Sequence, residues 1–320
     1  MAVEPIREQL QGSGTGAVIG GVLGAFVGYQ FGFHRVRREP VRSTCPMTAS
    51  SGAIRVGIGG WVFPPWRNNF YPEGLAQKCE LQYASRQLSA IEINATYHRL
   101  QKPASFAKWR DATPPGFVFS VKGSQYVTNR RVLGEAGEAI GRFMASGLAE
   151  LGPKLGPIVW QFATTKVFDP DDFDAFLKLL PRTLDGHRVR HAVEVRHRSF
   201  MTPEFLALVR GHGVATVFAD SDKYPSFADG SSDFVYARLM KTESRQKTGY
   251  APERIRLWAE TARRWAKGQE DPALPRIEED AVKSEPRDVF AFFISGAKER
   301  APSAATAMLA ELGFAPIAMP

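Results

Sequence analysis

Cysteine is almost absent from this 320-residue chain, which has only Cys45 and Cys79. Two thiols make neither a disulfide framework nor a four-ligand zinc site, and they suit a reducing compartment. Of the six histidines only His98 and His197 closely follow a candidate strand, and neither shows a His-x-x-x-His or comparable ligand spacing, so no metal is expected. No candidate strand is followed by a GxGxxG or GxxxxGK[ST] loop, which counts against the alternative of a doubly wound sheet; no cofactor is expected either. Acidic residues are the scarcer charge, 33 Asp+Glu against 41 Lys+Arg, giving a net +8. The first 46 residues hold five Arg and three Glu, so +6 remains on the rest. That balance favours anionic ligands, nucleic acid among them. With 44% hydrophobic and 23% charged residues, wholesale disorder and a polytopic membrane protein are excluded.

A long hydrophobic run occurs once. Glycines stand at 12, 16, 20, 24, 28 and 32, a spacing of four that lines one face of a helix. The apolar run 17–33 has the minimum length for a membrane span, and Arg35, Arg37 and Arg38 follow it. By the positive-inside rule the downstream chain would then lie in the cytoplasm. The competing reading makes 1–46 an over-extended gene model with Met47 as the start. Either way the expected division is a glycine-zipper-like extension, 1–46, and a domain over 47–320. Membrane contact is expected only through residues 12–33.

From residue 54 onward, short β-branched or aromatic runs alternate with amphipathic patterns. Strands are expected at 54–59, 90–94, 117–122, 157–162, 191–196, 215–220, 234–239 and 289–294. Helices are expected at about 75–88, 103–110, 134–150, 171–180, 203–212, 252–267 and 302–312, with the interval 221–233 too short for one. Eight strands with intervening helices in this length predict a (β/α)8 TIM-type barrel. The polar stretch 268–287 reads as a solvated insertion on the N-terminal face.

Side chains alternate faces along a strand, so parity sorts each one. The second strand opposes Ile91 and Ile93 to Ala90, Glu92 and Asn94; the third leaves Ser120 and Lys122 inward. In the fifth, Ala192, Glu194 and Arg196 share a face; in the seventh, Phe234, Tyr236 and Arg238 do. The sixth is read with Thr216, Phe218 and Asp220 inward, and Gln161 ends the fourth. Charges inside a barrel need partners or solvent, and the C-terminal mouth offers both. Glu92, Glu194 and Asp220 are the candidate catalytic residues, and Asn94, Lys122, Gln161, Arg196 and Arg238 candidate substrate ligands. Trp61, directly after Gly59-Gly60, is a further candidate ligand by stacking. Phe63 and Phe70 read as loop packing.

The blocks GIGGWVFPPWRNNFYPEG, YASRQLSAIEINATYHRL, KWRDATPPGFVFSVKG, LGPIVWQF, HAVEVRHRSF and DFVYARL, in that order, resemble the YecE-like family, the domain of unknown function 72. The resemblance covers about 54–313. It implies a TIM barrel, with eight of the nine candidate residues in these blocks and Asp220 between the last two, and it brings no reaction. By structural analogy it also brings a nucleic-acid role akin to barrels of the endonuclease IV type. Two departures stand at the mouth: Met240-Lys241 replaces a His-Gly pair, and 294–299 replaces an Asn-Asn turn. They imply a subgroup with its own ligand preference.

The preferred expectation is an enzyme, a hydrolase or lyase, acting on a small anionic molecule that is phosphorylated or carboxylated and sugar-like. Lys122, Arg196 and Arg238 would hold the anion. Glu92 or Glu194 would supply acid/base chemistry, with Asp220 tuning the pKa. The alternatives are a nucleic-acid binder or endonuclease IV-like phosphodiesterase, and a non-catalytic ligand-binding barrel. The location expected is cytoplasmic, free or tethered.

Overall fold

The computed structural model describes residues 51–279 and 285–319. Both readings of residues 1–46, with the run 12–33 and the boundary at Met47, lie outside the described residues. Eight parallel strands close into a barrel: β1 (Ile54–Gly59), β2 (Ala90–Ile93), β3 (Val118–Lys122), β4 (Leu155–Gln161), β5 (His191–Glu194), β6 (Ala215–Asp220), β7 (Phe234–Leu239) and β8 (Asp288–Phe293). Neighbours in sequence are neighbours in the ring, and β1 pairs with both β2 and β8 to complete it. Where β1 meets β2 there is no room for a side chain: a Cβ on Gly57 would sit 1.9 Å from the Ala90 carbonyl oxygen.

Among the described residues seven helices of eight or more residues cover the outside: α1 (Glu80–Gln87), α2 (Pro103–Ala112), α3 (Gly137–Met144), α4 (Pro170–Leu179), α5 (Pro203–His212), α6 (Pro252–Ala266) and α7 (Ala301–Glu311). Five of them carry proline in the first turn, where its missing N–H costs nothing and its fixed φ starts the helix sharply after a loop. Thr202 and Asp169 cap α5 and α4 by accepting from the backbone N–H of Phe205 and Asp172. The connection from β6 to β7 holds no helix, as its length predicts. Among the described residues no helix is long and apolar enough to cross a membrane.

The interior is filled asymmetrically. Ala90, Val118, Val159, Ala192, Ala215 and Val217 leave room that Phe234, Tyr236, Phe290 and Phe292, all from β7 and β8, occupy. This filling overturns the expected facing of β6. Phe218 points outward, 5.8 Å from the ring centroids of both Trp258 and Trp265 on α6. A fifth large ring inside would overpack the barrel, at about 1–3 kcal/mol. Asp220, two residues on, is therefore outside as well.

The stretch after α6 is not simply solvated. The Asp229 carboxylate accepts from the N–H of Ile277 and Glu278, at 2.8 and 3.0 Å. Arg287, 4% exposed, bonds the Gly268 carbonyl and Glu270. These contacts fasten the segment across the N-terminal end of the barrel, away from the mouth.

Candidate functional site

Five strands deliver polar side chains to the upper barrel interior. Arg238 of β7, 2% exposed, stands at the centre. One of its terminal nitrogens donates to Glu92 of β2 at 2.6 Å, and the other donates to Glu194 of β5. The second Glu92 oxygen accepts from the Tyr236 hydroxyl at 2.6 Å, and that hydroxyl shares a 2.7 Å hydrogen bond with Ser120 of β3. Glu194 also accepts from the Gln161 amide at 2.8 Å and from the Arg196 guanidinium at 2.7 and 2.8 Å. Both carboxylates are essentially without solvent contact, so each needs these donors to offset the cost of its burial.

Electrostatics follows from the packing. Burial opposes the charge on Arg238, yet Glu194 and Glu92 outweigh it and hold its pKa above the ordinary value. Burial alone would raise Glu194; Arg238, Arg196 and the Gln161 hydrogen bond hold it below the usual carboxylate value. A carboxylic acid poised near neutral pH is therefore not what Glu194 provides. Lys122 differs. Burial, then Arg238, push its pKa down to about 8, with Arg196 adding to the shift and both glutamates opposing it. Its ammonium lies 4.4 Å over the Tyr97 ring, and the Arg196 guanidinium lies 4.2 Å over Tyr224.

Above this layer opens a cavity of about 370 Å³, lined by Asn94, Lys122, Gln161, Arg196, Arg238 and residues of the β8–α7 loop. That loop brings Lys298, whose ammonium sits 4.3 Å over Phe63 and whose carbonyl accepts from the Trp66 indole at 2.9 Å. Burial lowers the Lys298 pKa. Four cations, Lys122, Arg196, Arg238 and Lys298, line the cup, while Glu92 and Glu194 lie beneath it. The side chain of Arg238 forms part of the floor, and its Nε is buried without a partner.

Of the nine residues singled out from sequence, seven come together here: Glu92, Asn94, Lys122, Gln161, Glu194, Arg196 and Arg238. Two do not. Asp220 accepts from Tyr250 at 3.1 Å and faces Lys241 at 3.5 Å, on the outer side of β6, so it cannot tune Glu92 or Glu194 by like-charge proximity. Trp61 turns away from the mouth and packs edge-on against Trp109 of α2 at 5.2 Å and Phe119 of β3. Trp66 lines the cup in its place. Arg238 is also not a free anion clamp, because its terminal nitrogens serve the glutamates. Lys298, Tyr224 and Tyr236 escaped the sequence reading as site residues. Parity did place Tyr236 beside Arg238, and Lys298 falls in the stretch that departs from the family pattern. His197 is taken up locally, its Nδ1 3.2 Å from the N–H of Ser199.

The family model for protein of unknown function DUF72 matches residues 55–319. The UPF0759 protein YunF of Bacillus subtilis (strain 168) is 24% identical over 262 residues, 75% of this chain and 88% of that protein. The crystal structure of a DUF72 family protein from Thermotoga maritima MSB8 superposes with a TM-score of 0.63 at 22% identity, covering 82% of this chain and 100% of that one. One from Enterococcus faecalis V583 gives 0.61 at 16% identity, covering 83% and 98%. At such identities the structural likeness speaks for the fold alone. The family match runs from β1 through the end of α7 and takes in every residue of the cup, so the chain belongs to the DUF72 family.

Proposed function

We propose that the C-terminal cup binds a small organic anion, phosphorylated or carboxylated, and that the protein is an enzyme acting on it. The observation that carries this reading is the segregation of charge. Lys122, Arg196 and Lys298 reach the cavity, whereas the two carboxylates are turned down onto Arg238. An anion entering the cup meets cations already partly desolvated, where a charge-assisted contact is stronger than in water. Tyr224 and Trp66 give the wall flat apolar faces of the kind that stack on a sugar ring. Proton transfer falls to Lys122, whose pKa lies near 8, rather than to the glutamates, whose carboxylates are ion-paired with Arg238.

A metal-dependent phosphodiesterase of the endonuclease IV type is favoured less. Among the described residues no group of three or more His, Cys, Asp and Glu side chains is placed to hold a metal ion. A cytoplasmic setting goes with this reading, since small phosphorylated metabolites and a free Cys79 thiol both suit it. Thermal-shift screening against inorganic phosphate, sugar phosphates and dicarboxylates tests the proposal. A ligand at about a hundred times its Kd stabilises by about 2.7 kcal/mol, or roughly 4–5 °C for a chain of this size. Arg196→Ala and Lys298→Ala should each abolish most of that shift, and Lys241→Ala, on the outer side, should keep it. If no anion class moves the melting temperature, or if both cup variants respond like the parent, the proposal fails.

A further inference from the structure

We propose that the face of the barrel surrounding the mouth docks onto an anionic lipid bilayer. Large apolar side chains exposed to solvent concentrate there. Val62, Leu100, Tyr126, Val132, Val167 and Met201 stand on the connections that follow β1 to β5, five consecutive positions around the ring. They form an arc of tips on one end of the barrel. Val62 is 50% exposed, Val167 55% and Tyr126 65%, far more than packing of the loops requires.

Charge follows the same division. The connections at the C-terminal end (60–79, 94–102, 123–136, 162–169, 195–202, 221–225, 240–251 and 294–300) carry 15 Lys and Arg against six Asp and Glu. At the opposite end, the described connections 145–154, 180–190, 226–233, 267–279 and 285–287 carry seven against nine. The positive excess of the domain thus sits on the face that bears the apolar tips. Arg99, Lys102, Arg131 and Arg198 are exposed on these same loops, between the tips.

Both features together match a bilayer surface, where cations meet anionic headgroups and short apolar side chains enter the boundary with the acyl chains. The identity of the tips separates this from nucleic acid. Bases are gripped by stacking on aromatic rings, and five of the six tips are aliphatic. The sequence ahead of the barrel points the same way, since the apolar run 17–33 is followed by Arg35, Arg37 and Arg38. Docking in this orientation turns the cup toward the headgroup layer.

The full chain, with Cys45→Ser and Cys79→Ser, provides the test. An environment-sensitive dye is attached through Leu100→Cys or Tyr126→Cys on the mouth face, or through His187→Cys on the opposite face. Vesicles of equimolar phosphatidylcholine and phosphatidylserine are added. Dyes at 100 and 126 should shift to the blue, more weakly in high salt and not with phosphatidylcholine alone, while the dye at 187 stays unchanged. Arg99→Ala combined with Arg131→Ala should raise the lipid concentration needed by roughly thirtyfold. Co-sedimentation with vesicles while the dyes at 100 and 126 remain in water would assign binding to the N-terminal run and overturn the docking face. A blue shift with single-stranded DNA but not with vesicles would overturn it in favour of nucleic acid, and so would silence with both. A cup that still binds a small anion in any of these cases leaves the proposed function untouched.

Discussion

Arg238→Met probes the ion layer beneath the cup. The guanidinium is 2% exposed and is shared between Glu92 and Glu194, at 0% and 1%. Deleting one member of a buried ion pair costs about 3–5 kcal/mol, a large part of a total stability of about 5–15 kcal/mol. Glu92 suffers most, because only the Tyr236 hydroxyl then remains to it, whereas Glu194 keeps Arg196 and Gln161. The pH dependence gives the effect a signature. In the parent, Glu194 titrates below its unfolded value, so its contribution is present above that value and is lost as pH falls through the folded one. Without Arg238 the two carboxylates lose their shared cation, and an unpaired buried charge is penalised only while it is charged, so the loss is full at neutral pH and eases in acid. Urea unfolding at pH 8 should show the loss of about 3–5 kcal/mol, and at about pH 5 a smaller one. Combining Glu92→Gln, Glu194→Gln and Arg238→Met should recover much of it, since no buried charge is left alone. A loss below about 1 kcal/mol, equal at both pH values, would refute the view that these three residues neutralise one another.

Lys122 titrates near 8, so anion binding should be strongest below that pH and weaken as pH rises through it, a step that Lys122→Met removes when affinity is followed by calorimetry. The same substitution should stabilise the fold at neutral pH, with the gain fading toward the unfolded lysine value, because a depressed lysine pKa marks a cation the native state disfavours. Asp220→Ala breaks the bond from Tyr250 and should lower the melting temperature by several degrees, about 1–3 kcal/mol, without altering ligand-induced shifts. Gly57→Ala drives a methyl group into the Ala90 carbonyl at 1.9 Å and should cost more than about 3 kcal/mol, read from denaturation midpoints.

The barrel was legible because its periods change so cleanly. The expected bounds of β1, β6 and β7 coincide with those observed, and the remaining strand ends differ by no more than two residues. Parity assigned the inner face correctly on β2 and β5, where Ile91 and Ile93 or Val193 and Val195 pack outward. It failed on β6, where the facing is decided by volume contributed from elsewhere: β7 and β8 had already filled the interior, and two tryptophans on α6 made a place for Phe218. No local pattern carries that information. Trp61 and Trp66 posed the same difficulty in a loop, because position after two glycines says nothing about which indole meets Trp109 and which lines the cup. Lys298 arrives from a segment more than two hundred residues away from Trp66, so only the departure at 294–299 marked it. Chemistry was read less well than place, because Glu92 and Glu194 are acids by composition but partners of Arg238 by geometry.

The helix-free crossing between β6 and β7 has a mechanical consequence. Its upper part presents Tyr224 to Arg196, and its lower part is gripped at Asp229 by the backbone of Ile277 and Glu278. Five residues of extended chain reach at most about 18 Å, close to the height of a six-residue strand, so this strap has little slack. Tension set at the floor thereby positions a tyrosine at the rim. Inserting one glycine between Ser226 and Phe227 would let that ring drift from Arg196 while leaving every charged group in its place.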